Sequence, residues 1–73
     1  MRKREEINDP NSCLNKAKED EMIFVLLGRD EGAVAAVLAW INMRIKLGKN
    51  NPRDAQIVEA EKWIETVLSE REP

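Results

Sequence analysis

The stretch of this sequence best suited to holding a ligand is Gly28-Arg29-Asp30-Glu31-Gly32, between an apolar run and a helical pattern. Backbone N–H groups at a helix start favour anions, and an adjacent arginine adds a planar fork for phosphate or carboxylate. The run is not a P-loop, because no Gly-Lys-Ser/Thr follows it, and it is not G-x-G-x-x-G. Asp30 would itself repel an anion placed at the helix start. The plain alternative is structural: Gly28 closes the apolar run, Asp30 caps the helix, and Arg29 makes an ordinary ion pair.

Ser12, Asn15 and Lys16 form a second polar group, on a short helix preceding the apolar run. They join Arg29 and Asp30 as a ligand-binding set if that helix folds back over the end of the run. A third cluster, Arg44, Lys46, Lys49 and Arg53, has no acid within it and suits an acidic partner. Solubility and compensation of a helix C-terminus are the plainer and favoured account of it. Trp40 and Trp63 are the largest aromatics, and in a helical hairpin both belong to the core. Either one, if exposed, would serve for base stacking or, with Arg44, as a contact for another protein.

Catalysis finds little footing. Cys13 lies near a helix start with Lys16 close by, which favours some thiolate character. No histidine exists to act as its base, and no base–orienter pair is recognisable. Glu19, Asp20 and Glu21 offer carboxylates, but adjacent acids on a polar connection read as surface charge. With no His and one Cys, a single chain builds no soft-ligand metal site, and no acidic loop follows the EF-hand pattern. The expectation is a non-enzymatic protein with no catalytic residues, no metal and no cofactor.

The elements that must position these groups follow from pattern and punctuation. Residues 1–8 read as a flexible polar N-terminus and residues 9–70 as one small domain. A short helix is expected over about 10–19, capped by Asp9 ahead of Pro10 or by Ser12 one turn later. Residues 22–27, Met-Ile-Phe-Val-Leu-Leu, are apolar without alternation and closed by Gly28, which favours a strand buried on both faces. A helix over 31–47 carries the stripe Val34, Val37, Leu38, Ile41 and Ile45, flanked by Ala36, Trp40, Met43 and Leu47. That apolar face is wider than a helix with one solvated side needs. Gly48 is a natural stop, and Asn50-Asn51-Pro52 is turn chemistry. A last helix from Pro52 or Asp54 to Glu70 buries Ile57, Ala60, Ile64, Val67 and Leu68. The short turn predicts an antiparallel helical hairpin, so the fold class is mainly α with one strand-like segment.

At 73 residues the chain has room for one modest core. A chain this short hides only about 60% of the surface its unfolded form exposes. Disulfides and metals are not open to it, so oligomerisation is the remaining reinforcement. The lone strand points the same way, because its backbone groups have no partner in this chain. Either the run pairs with a symmetry mate in a homodimer, the preferred reading because it answers both needs, or it is an extended segment or helix covered by the other helices. The single cysteine suits the reducing cytoplasm. No segment has the ~18–20 apolar residues of a membrane span. A net charge of −2 with interspersed signs leaves no field for nucleic acid, and Arg2-Lys3-Arg4 reads as a solvated end.

Ser12-Cys13-Leu14-Asn15-Lys16-Ala17, Asp20-Glu21 and Phe24-Val25-Leu26-Leu27-Gly28-Arg29-Asp30 together resemble a group of small phage and prophage proteins. The likeness extends through Trp40, Gly48-Lys49-Asn50 and Gln56-Ile57, with Met22 standing where similar sequences would have proline. It implies a virus-associated accessory protein working inside a bacterium, and it carries no activity or ligand with it. Two roles remain open. In one, a homo-oligomer captures an anionic small molecule, such as a nucleotide signal. In the other, the hairpin binds a host or phage protein through Trp40, Arg44 or Trp63.

Overall fold

The computed structural model describes residues 1–71, and its regular structure is entirely helical among them. In chain order the helices are α1 (Lys3–Asn8), α2 (Cys13–Lys16), α3 (Ala33–Lys46) and α4 (Ala55–Arg71). α1 packs on α2 and α3 packs on α4. The long connection between these two pairs forms no strand.

The α3–α4 hairpin is the framework, and its turn is closed by local chemistry. Gly48 adopts φ 71°, a left-handed conformation that glycine enters without the Cβ penalty. Its N–H donates to the Ile45 carbonyl and the Lys49 N–H donates to the Arg44 carbonyl. That pair of bonds is a Schellman stop, and it satisfies carbonyls the helix end would otherwise leave open. Asp54 then starts α4: its carbonyl accepts from Ile57 and Val58, and its carboxylate accepts from the Asn51 N–H at 3.1 Å. Asn50 ties the two helices together. Its side-chain oxygen accepts from Arg44 Nε at 2.7 Å, and its amide donates to Asp54 Oδ2 at 2.9 Å.

Ile41, Ile57 and Ala60 form the centre of the core, with Val37, Ile45 and Ile64 packed against it. Ala33 and Val67 extend the buried line toward the open end of the hairpin. Leu38 and Leu68, expected inside, are half-exposed at 46% and 47%. The reason is geometric: one helix contacting one helix covers a narrow stripe, and no further layer lies over its flanks.

The N-terminal segment, expected as a flexible tail, carries a helix. Glu5 closes the start of α1 by accepting from the Arg2 N–H at 2.8 Å. That bond, with the N-terminal ammonium beside it, holds the Glu5 carboxyl below its ordinary value. The second helix is shorter than expected, and Ser12 rather than Asp9 is its cap. The Ser12 hydroxyl accepts from the Asn15 N–H at 3.2 Å, while Asp9 closes a tight turn by accepting from Asn11.

Residues 22–27 correct the largest expectation. They form no strand and are not buried in the single chain: Met22 is 96% exposed, Phe24 87% and Val25 69%. The run is an irregular strap that lines one groove with Trp40 and Trp63 of the hairpin. Two side-chain contacts among the described residues fix the last turn of α4, one to the N-terminal segment and one to the connection before α3. Arg2 pairs with Glu70, and Arg71 reaches the turn that follows the strap.

Candidate functional site

Between the strap, the α1–α2 pair and the hairpin lies an open groove of about 1560 Å³. Its walls are largely apolar, with Ile7 and Leu14 on one side, Phe24 and Leu26 on the strap, and Trp40 and Trp63 on the hairpin. Arg29 stands at its rim, at the head of the turn over residues 27–30.

That turn is built tightly. The Asp30 N–H donates to the Leu27 carbonyl at 3.0 Å, and Asp30 Oδ1 accepts from the Gly32 N–H at 2.8 Å. The Asp30 side chain therefore folds onto its own loop, a local Asx turn, rather than capping α3 directly; Gly32 occupies the cap position. Arg71 clasps the turn from α4, donating to the Gly28 carbonyl at 3.0 Å and to the Asp30 carbonyl at 2.6 Å. Gly28 lies in close approach to α4: a Cβ there would be 3.1 Å from Val67 Cγ2 and 3.7 Å from Trp63, so Val67 would have to give by a few tenths of an ångström. Arg29 makes no side-chain hydrogen bond or ion pair among the described residues, so a preset backbone presents a free guanidinium.

The expected ligand set divides. Ser12 and Asn15 are engaged in closing α1: Ser12 Oγ donates to the Glu6 carbonyl at 2.6 Å. The Asn15 amide donates to the carbonyls of Glu6, Ile7 and Asp9 at 2.8–2.9 Å. These carbonyls are what a helix end leaves open, and an asparagine amide is a natural donor for them. Ser12→Ala should therefore cost about 1 kcal/mol of stability, as loss of a cap does. Urea denaturation followed by far-UV circular dichroism measures it. Lys16 lines a separate shallow depression of about 330 Å³ with Cys13, Ala17, Glu21 and Ile23. Within one chain, Lys16 and Arg29 do not face one concavity.

Of the expected partner contacts, Trp63 is half-buried against Gly28, whereas Trp40 is 38% exposed. Arg44 lies over the Trp40 ring at 5.8 Å from its centroid, a cation–π contact. Sequence reading passed over Arg71, the residue that shapes the Arg29 turn from 41 positions away. Nothing local marks it, since a basic residue in a last helical turn is ordinary dipole compensation. Among the described residues no group of three or more His, Cys, Asp or Glu is placed to hold a metal ion. None of their helices is long and apolar enough to cross a membrane. Comparison with protein-family models, curated proteins and solved structures finds no match to this chain.

Proposed function

We propose that this chain is a non-enzymatic binding protein that works as a homo-oligomer and captures an anionic small molecule, a nucleotide signal being the leading case. The observation that carries the reading is the strap at residues 22–27. Six consecutive apolar residues lie mostly exposed, outside any strand ladder, along a groove that is itself apolar. Leaving such a surface in water forfeits about 25 cal/mol per Å² of apolar area. It also leaves a template for pairing with another chain. A second copy laid along the strap satisfies both, and a homodimer is the smallest such assembly.

Anion capture rests on Arg29. Its turn is held by Arg71 and its guanidinium is unengaged among the described residues, while Trp40, Trp63 and Phe24 line the adjoining groove. A planar cation beside aromatic walls suits a ligand with a phosphate and a flat base. Lys16 lines a different depression of the single chain and would join this site only from a partner copy. The resemblance to small phage and prophage proteins supports the setting: an accessory protein that sequesters its ligand in the bacterial cytoplasm.

Thermal unfolding against a panel of mono-, di- and cyclic nucleotides tests this reading. A ligand at 100 times its Kd should stabilise the protein by about 2.7 kcal/mol, raising Tm by roughly 10 °C or more. Arg29→Ala should remove that shift while leaving the unliganded Tm unchanged. No shift with any nucleotide would overturn the ligand assignment.

A further inference from the structure

Helix α3 carries a second apolar line that the hairpin does not cover. Ala36, Trp40, Met43 and Leu47 follow one another at spacings of four, three and four, so they share one face. All four are exposed, Met43 at 52% and Leu47 at 61%. Neither the core centred on Ile41 nor the Arg29 turn uses Met43 or Leu47. This line runs directly into the basic cluster. Residues 42–53 hold Arg44, Lys46, Lys49 and Arg53 and no acid, and none of these four cations makes an ion pair among the described residues.

The cluster is also partly organised. Arg44 is fixed between the Trp40 ring and the Asn50 side chain, and Asn50 is fixed in turn by Asp54. Its guanidinium is thus held at the edge of the apolar line by Nε alone, leaving its terminal amines to bond outward. The nearest acid in sequence, Asp54, accepts from the Asn50 amide and the Asn51 N–H and makes no ion pair with the cluster among the described residues. Lys46, Lys49 and Arg53 are exposed around it.

We propose that this face of α3 and the hairpin tip form a docking surface for an acidic amphipathic helix of another protein. Its apolar side would lie on Trp40, Met43 and Leu47, and its carboxylates would meet Arg44 and the tip cations. Charge complementarity selects the occupant. An apolar line with cations on its flank rewards a segment that is apolar on one side and acidic beside it. A nucleic acid has no apolar stripe for the exposed Met43 and Leu47. Trp40 also borders the groove beside the Arg29 turn, whereas Met43, Leu47 and the tip cations belong to this surface alone, so Met43 and Arg29 variants tell the two sites apart.

The test is fluorescence anisotropy at low salt with a labelled synthetic helix. Its leucines stand at i, i+3, i+4 and i+7 and its remaining positions are mostly glutamate. Binding should weaken with salt, and Lys46→Gln/Lys49→Gln/Arg53→Gln should weaken it about tenfold, as loss of several exposed ion pairs does. Met43→Asp should abolish it, and Arg29→Ala should leave it unchanged. These substitutions lie at exposed positions, and circular dichroism of each variant verifies the fold. A helix with lysine in place of glutamate should not bind. The proposal is overturned if the acidic helix fails to bind, if the tip or Met43 variants bind it as tightly as the parent, or if a thymidine oligonucleotide binds the same face more tightly.

Discussion

Replacing Ile57 with alanine is expected to cost about 2–5 kcal/mol, the largest stability loss of any single truncation in this chain. Ile57 is the only large side chain among the described residues with no exposure, and it sits at the centre of the α3–α4 contact beside Ile41 and Ala60. Its size gives the cavity term, and the sparse surroundings give the rest. Besides Ile57, the buried hydrophobics are Ala33, Ile41, Ala60 and Val67, of which two are alanines with little to contribute. A domain of this size holds only a few kcal/mol in its core. The substitution should therefore unfold most of the protein at room temperature, or shift the urea midpoint far to the left with an unchanged slope. A loss below 1 kcal/mol would mean that the hairpin interface is not the centre of stability. Val58→Ala, one residue along and exposed, is the matched control.

Val25→Lys is expected to act on association instead. In the single chain Val25 is 69% exposed, so a lysine there meets water and disturbs nothing. In an oligomer paired along residues 22–27, the same lysine enters an apolar interface without a counter-charge. Burying an uncompensated charge costs about 3 kcal/mol or more, which is at least a hundredfold in the dissociation constant. Sedimentation equilibrium of parent and variant measures the difference. The variant should also lose the concentration dependence of Tm that an associating protein shows. Equal association of the two proteins would place the interface elsewhere.

The parts legible in the sequence were those set by local chemistry. Gly48, Asn50, Asp54 and the apolar spacing of Ile41, Ile57 and Ala60 each specify their own stretch of the hairpin, and the structure forms it. Ser12 was one of two candidate caps; its hydroxyl accepts from the Asn15 N–H, while the Asn15 amide reaches the Glu6, Ile7 and Asp9 carbonyls at the end of α1, which no periodicity marks. Residues 22–27 were harder, because an apolar run states a need for cover without naming the covering surface. In one chain that cover is missing, and the strap stays exposed. The wide apolar face of α3 was visible as spacing, but its division into a buried stripe and an exposed one depends on which neighbours arrive. At the candidate site, Arg29 was found through its glycine-flanked turn, whereas Arg71 acts across a distance no local pattern spans. Ser12 and Asn15 are polar residues in a suggestive cluster whose hydrogen bonds turned out to serve the backbone.

The homo-oligomer is the premise on which the reading of the strap and of the shared ligand site both depend. Light scattering coupled to size-exclusion chromatography, run over a dilution series from high to low micromolar protein, tests it most directly. The account predicts a mass of twice the single chain or a higher multiple at the upper concentrations, falling toward one chain on dilution or in Val25→Lys. A well-folded single chain at every concentration, with the strap open to water, would contradict it.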